Sequence, residues 1–213
     1  MTMDMKLDPA SPEWVTALPQ TDETDQLLIV AGCGSTTAWV SLHDKDISGI
    51  WQMVMTTPGF IGQNGLGKTC EGDRKTPLGI FHFDRAFGIA DDPGCAIPYK
   101  KVDYRDYWSG DGRKGMHFNE LVSIDECPDL DTGRSEHLIE YTRQYQYCLN
   151  IDYNSKGDPE AGSAIFLHCF GDRTPYTLGC ISIPEDRMKV VMQHVKPECI
   201  IVIDTIDKLG GHL

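Results

Sequence analysis

The chain is cut into short apolar runs, the longest of which, Leu27–Ala31 and Cys199–Ile203, have the length of a β-strand rather than a helix. Glycine, proline and aspartate separate nearly every run from the next, the punctuation of strands joined by turns. Strands are expected at Leu27–Cys33, Thr37–His43, Ile50–Thr56, Leu78–Phe83, Tyr145–Tyr153, Ala164–Cys169, Cys180–Ile183 and Cys199–Asp204, with Asp44-Lys45-Asp46 as a hairpin connection. The expected class is a single mostly-β domain with one or two helices.

One helix signal stands out, at Ile183–Val195. Ser182 and Glu185 form the S-x-x-E capping pattern, Pro184 suits a first turn, and Met188, Val191, Met192 and Val195 recur at spacings of three and four. A weaker helix is expected from Ser135 to about Thr142. Residues 1–25 are polar, carry Pro9, Pro12 and Pro19 and show no period, so they are expected to form a tail or linker with Trp14 docked on a domain over 26–213. The stretch Lys101–Arg134 is poor in aliphatic residues but holds Tyr104, Tyr107, Trp108, His117 and Phe118. A connection that long suggests a functional loop, here a lid over a site.

Composition narrows the partners. With 213 residues and 40% hydrophobic content the chain can bury a real core, and its net charge of −13 disfavours nucleic acid and anionic lipid. No run approaches the roughly 18 apolar residues of a membrane helix, so no membrane insertion is expected. Met1–Pro19 lacks the basic start and apolar core of a secretory signal. Eight cysteines lie scattered at 33, 70, 95, 127, 148, 169, 180 and 199 without a C-x-x-C pair, which argues against a zinc ribbon or a thioredoxin-like site.

Gly62-Gln-Asn-Gly-Leu-Gly67-Lys68-Thr69 satisfies the G-x-x-x-x-G-K-[ST] pattern of a phosphate-binding loop. That chemistry also needs a helix starting at the lysine, so that backbone N–H groups face the phosphates. The residues after Thr69 carry Gly72, Pro77 and Gly79. They read as loop, and nucleotide binding is not expected.

The segment with chemical content runs from Ala164 to Ser182. A buried strand ends at His168, a Gly/Asp/Pro loop follows, and the chain returns to Gly179-Cys180. Such a return can set a thiol beside an imidazole, and a cysteine paired with histidine becomes thiolate, the attacking species, more readily. Gly179 leaves room for the backbone N–H groups of Gly179 and Cys180 to approach an oxyanion. From spacing alone, a hydrogen-bonded structural histidine and a core cysteine fit as well.

This segment resembles the signature of the L,D-transpeptidase (YkuD-type) catalytic domain, in which a histidine precedes a [Ser/Thr]-x-Gly-Cys run. Thr177-Leu178-Gly179-Cys180 fits that run and His168 fits the histidine. Gly72-Asp-Arg-Lys-Thr76-Pro77-Leu-Gly79-Ile-Phe81 is similar to the family's G-x-x-x-T-P-x-G-x-F strand entry. The likeness covers roughly residues 50–205. Leu178 stands where many members have histidine, Ser182 where many have arginine, and the loop from His168 to Cys180 is shorter than the common version.

The resemblance implies a β-sandwich-like fold and acyl transfer on peptidoglycan stem peptides. Cys180 would be the nucleophile and His168 its base, with no metal or organic cofactor. A thioester formed on the stem would pass to an amine, giving a 3→3 crosslink, or to water, giving L,D-carboxypeptidase activity. Thr177, Tyr176, Arg173, Trp108 and His117 are the expected substrate-binding residues, and Arg173 or Arg187 would stand in for the absent arginine. Two other functions compete: a zinc site drawn from His168, Cys180, His117 and His137, and a wall-binding module of the same fold without turnover. The implied substrate lies outside the cytoplasmic membrane. The expectation is therefore an exported protein, in the cell wall or secreted, whose leader has been removed and whose Met1–Gln20 is a spacer.

Overall fold

The computed structural model describes residues 10–171 and 174–212. Twelve strands are found among them. They are β1 (Gln26–Gly32), β2 (Thr37–Lys45), β3 (Trp51–Phe60), β4 (Gly79–Gly88), β5 (Tyr99–Lys101), β6 (Asp106–Trp108), β7 (Leu121–Ser123), β8 (Glu136–His137), β9 (Cys148–Ile151), β10 (Phe166–Cys169), β11 (Ile181–Ile183) and β12 (Ile200–Thr205). Nine form one sheet in the order β12-β1-β2-β3-β11-β10-β9-β4-β5, and a further pairing of β12 with β4 bends that sheet closed into a barrel-like core. Closure leaves few free strand edges. Every expected strand has a counterpart, and the class is mostly β.

The two apolar runs explain the centre of the sheet. β1 and β12 lie parallel in register from Leu27↔Ile200 to Gly32↔Thr205. β1 is buried along its whole length, because its two faces enter different cores. Leu28 and Val30 join Val40, Leu42, Ile201 and Ile203 inside the barrel. Leu27, Ile29 and Ala31 face outward into a second cluster with Val15, Trp51 and Leu209. At the β2–β3 turn the Asp46 carboxylate accepts the N–H groups of Ser48 and Ile50, fixing the hairpin close to where the sequence places it.

That second cluster corrects the expected N-terminal tail. Residues from Ala10 onward are part of the domain: a short helix α1 (Glu13–Thr16) buries Val15 completely, and a 3-10 turn follows at Pro19–Asp22. Trp14 packs against Gly211, as expected of a docking residue. Three proximal prolines hid a segment too short to show a period.

Helix α2 (Glu185–His194) buries Met188, Val191 and Met192 on the barrel, the stripe the sequence predicts. Its start differs from expectation. Pro184 is the N-cap without any side-chain cap hydrogen bond, and Ser182 is a buried residue of β11 instead. The helix expected at Ser135–Thr142 is replaced by β8 and a single 3-10 turn at Leu138–Glu140. Glu136 and His137 pair with Trp108 and Tyr107 of β6, and this tertiary pairing overrides a weak local helix preference.

Lys101–Arg134, the expected lid, carries secondary structure of its own and contributes Trp108, Gly110 and Arg134 to the cleft wall. It supplies β6 and β7, which with β8 make a separate three-stranded sheet. Its turn region is anchored from within, since Ser109 and Asp111 are fully buried and the Asp111 carboxylate accepts from Arg113 and from the N–H of Asp131. Gly62–Thr69 is a loop with no helix after it. Lys68 donates to the carbonyl of Cys70 and pairs with Asp73 at 3.2 Å. The lysine is committed to its own loop rather than to a phosphate.

Candidate active site

β10 and β11 run parallel, with Leu167 opposite Ile181, His168 opposite Ser182 and Cys169 opposite Ile183. Alternation along paired strands then sorts the side chains. Leu167, Cys169, Ile181 and Ile183 enter the barrel core. Phe166, His168, Cys180 and Ser182 take the other face, where Phe166 and Cys180 meet Trp108, Leu138 and Tyr145. The candidate thiol and imidazole therefore open on one side, in a cleft of about 660 Å³ that both line.

Cys180 Sγ donates to the carbonyl of Ala164 at 3.1 Å and accepts from the N–H of Phe166 at 3.4 Å. The residue keeps some exposed surface, yet burial of the sulfur governs its acidity. It pushes the thiol up to about 12, the charge of Glu136 acts in the same sense, and the Phe166 N–H and Lys68 oppose them. His168 Nδ1 lies 2.7 Å from the carbonyl of Cys169. A carbonyl only accepts, so Nδ1 carries the proton and Nε2 of the neutral ring keeps its lone pair. Burial pushes this ring down to about 4, against the pull of that hydrogen bond. The Tyr145 ring packs edge-on against it at 5.6 Å. Thiol and imidazole thus both rest uncharged.

A second segment sets the cysteine's position. Thr76, fully buried, accepts from the N–H of Gly62 at 2.9 Å and donates to the carbonyl of Gly179 at 2.8 Å. Thr177 Oγ1 donates to the carbonyl of Cys180 at 2.6 Å and accepts from the N–H of Gly179 at 3.1 Å. Gly179 has φ +147, and a Cβ there would sit 3.1 Å from the Lys75 carbonyl oxygen. Glycine is required on both counts. Its N–H is already used by Thr177, which corrects the expectation that it faces an oxyanion. The N–H of Cys180, beside its own sulfur, is the donor that remains of that expected pair.

The other expected residues divide. Tyr176, Thr177 and Trp108 line the cleft, although Trp108 is 2% exposed and serves mainly as its floor, its Nε1 donating to Asn119. His117 does not line it and pairs with Glu120 on the surface. Arg173 lies outside the described residues. Arg187 sits on α2 beside Asp186, away from the cleft lining. His137 is hydrogen-bonded to the Glu140 carboxylate and the Tyr104 carbonyl and stacks on Tyr107, so the four residues of the zinc alternative are not assembled. Among the described residues no three His, Cys, Asp or Glu side chains converge as a metal site.

Sequence reading missed Lys68, Arg74, Arg134 and Glu136, all of which line the cleft. Glu136 arrives on the small sheet with Arg134 in the bend before β8, and Lys68 and Arg74 arrive on the long loop between β3 and β4. Ser182 lines the cleft in place of a family arginine, and these cations supply positive charge instead.

A profile of the L,D-transpeptidase catalytic domain (YkuD) matches residues 36–203 of this chain. The chain belongs to that family. Within the L,D-transpeptidase domain the two sequence motifs meet in space, since Thr76 of T-P-x-G-x-F binds the carbonyl of Gly179 in the Gly-Cys run. Among solved structures it is similar to the helical cell shape determining protein Pgp2 from Campylobacter jejuni, at 16% identity and a TM-score of 0.45 over 85% of this chain and 48% of that one. It is also similar to the Ldtfm–avibactam carbamoyl enzyme, at 14% identity and a TM-score of 0.39 over 85% of this chain and 49% of that one. The chain spans about half the length of each. The search of curated proteins finds no match. Among the described residues of this L,D-transpeptidase-family chain, no helix is long and apolar enough to cross a membrane.

Proposed function

We propose that this protein is a cysteine acyltransferase acting on peptidoglycan stem peptides, with Cys180 as nucleophile and His168 as general base. The observation that carries the proposal is the placing of a buried thiol and a neutral imidazole, its Nε2 unprotonated, on one face of a single cleft. In the first step Sγ attacks the carbonyl carbon of the stem residue before the terminal D-alanine. The thiol proton passes to His168 Nε2, the C–N bond breaks, and the leaving amine takes that proton. The Cys180 N–H serves as a backbone donor to the developing oxyanion. In the second step an amine or water attacks the thioester carbonyl and the thiol re-forms.

Tyr176 and Thr177 flank the donor stem, and Arg74 or Arg134 receives a stem carboxylate, the role the sequence assigns to Arg173. The chemistry needs no cofactor, and its substrate places it outside the cytoplasmic membrane. Incubation with tetrapeptide-stem muropeptides tests the proposal by mass. A Cys180-linked thioester and loss of D-alanine from the substrate are expected. Binding of the muropeptide without any adduct or product would instead support a wall-binding module without turnover.

A further inference from the structure

Two carboxylates line the cleft, and they differ in what holds them. Glu71 sits at the open edge, where its Oε2 accepts from the N–H of Ser163. Glu136 is enclosed. It stands on β8 beside Trp108 of β6, and its Oε2 accepts from the Tyr145 hydroxyl at 2.6 Å. Among the described residues no lysine, arginine or histidine forms an ion pair with it. The cations of the cleft contact other groups in the free protein: Lys68 meets Asp73 at 3.2 Å, Arg134 meets Asp131 at 3.6 Å, and Arg74 donates to the Gln63 side-chain oxygen at 2.9 Å.

A carboxylate withdrawn from water with only a neutral hydroxyl beside it is poorly stabilised as an anion. Burial accordingly pushes Glu136 up to about 7. Its charge is also felt at the nucleophile, because after burial it is the largest influence raising the Cys180 thiol. The cleft therefore holds a proton-accepting anion together with the sulfur, and among the described residues no cation pairs with it. A primary ammonium supplies that cation, and acyl transfer to an amine delivers one to this place.

Given acyl transfer at Cys180 as proposed above, we propose that Glu136 receives the primary ammonium of the acyl acceptor and takes its proton before the amine attacks the Cys180 thioester. The carboxylate gains one proton from the ammonium and leaves a free amine. The amine nitrogen bonds to the thioester carbon and the C–S bond breaks. The second nitrogen proton reaches sulfur through His168, restoring the thiol, and the Glu136 carboxyl then releases its proton to solvent. The transfer step forms one amide and liberates one proton, which balances the proton that the released D-alanine amine takes up from solvent. Water arrives uncharged and forms no ion pair with this carboxylate, so the amine gains more from it. Glu136 consequently sets the choice between crosslinking and hydrolysis rather than the rate of acylation.

The test uses the full chain with a tetrapeptide-stem muropeptide whose diamino acid carries a free side-chain amine. Acyl-enzyme formation is followed by intact mass, and crosslinked dimer and hydrolysed tripeptide are quantified together. Glu136→Gln keeps the shape and the hydrogen-bond acceptor for Tyr145. It is expected to lower the dimer-to-tripeptide ratio by about a hundredfold, the lower range for loss of a general base, while the acyl-enzyme still forms. Glu136→Asp, which keeps the charge, is expected to recover part of that ratio. An unchanged ratio in Glu136→Gln, or equal slowing of acylation and transfer, overturns the assignment. If wild-type protein forms no adduct at Cys180, acyl transfer itself fails, a result distinct from an adduct that partitions identically in both proteins.

Discussion

Cys180 and His168 share a face of the sheet because His168 pairs in register with Ser182, two residues beyond the cysteine. Cys169, next to His168, is turned the other way into the barrel core. Cys180→Ala should therefore abolish adduct formation and turnover. Cys169→Ala should cost about 1 kcal/mol of stability through lost burial and leave activity intact. Equal loss in two folded variants, compared by muropeptide turnover and circular dichroism, would count against the assignment.

The pair rests uncharged, and its pH behaviour follows. In the free protein the imidazole is neutral above about 4, so the acid limb of kcat/KM should fall well below the ordinary histidine range near 6.5. The thiol at about 12 is mostly protonated throughout the working range. Alkylation of Cys180 by iodoacetamide should then keep rising with pH from 7 to 10, since thiolate is the reactive form. A plateau near pH 7 would mean a preformed thiolate instead.

Stability should fall on acidification from about pH 6.5 toward 4. His43 and His168 are both pushed down to about 4 by burial, so in that window the unfolded chain binds more protons than the folded one. Each contributes up to about 3 kcal/mol that is present above 6.5 and lost as pH drops. Glu136, raised to about 7, acts oppositely over nearly the same window, but one group does not offset two. His43 bonds Ser11 and Ser41 and ties the N-terminal segment to β2. His43→Gln should flatten the melting temperature between pH 6.5 and 4.5, and an unaltered slope would contradict this account.

Thr76 reaches the candidate nucleophile without entering the cleft lining. Thr76→Val preserves shape but leaves the Gly62 N–H and the Gly179 carbonyl without their partner in a site with no exposure. A loss of about 2–4 kcal/mol is expected in chemical denaturation, together with slower acylation as Cys180 loses its fixed backbone. Normal acylation in a folded variant would show that Gly179 needs no such support.

Val15 distinguishes a spacer from a folded segment. Val15→Ala should lower stability by about 2 kcal/mol, because the side chain is wholly buried against Leu27, Ile29 and Trp51. A spacer would give no change in the denaturation midpoint, while the muropeptide assay should be unaffected either way.

The sequence determined what depends on neighbours along the chain. Alternating or continuous apolar runs placed the eight main strands, the 3–4 spacing of Met188 to Val195 placed α2, and two local motifs marked the family and the residues Cys180 and His168. Tertiary structure decided what depends on residues far apart. Glu136 reads as helix until β6 pairs with it, and the tail reads as linker until Val15 finds the outer face of β1. The Gly179 N–H reads as an oxyanion donor until Thr177 accepts it. Each depends on which partner a group meets when the sheet closes. A single hydrogen bond, ion pair or buried contact with a distant residue then outweighs the few tenths of a kcal/mol that local propensity supplies.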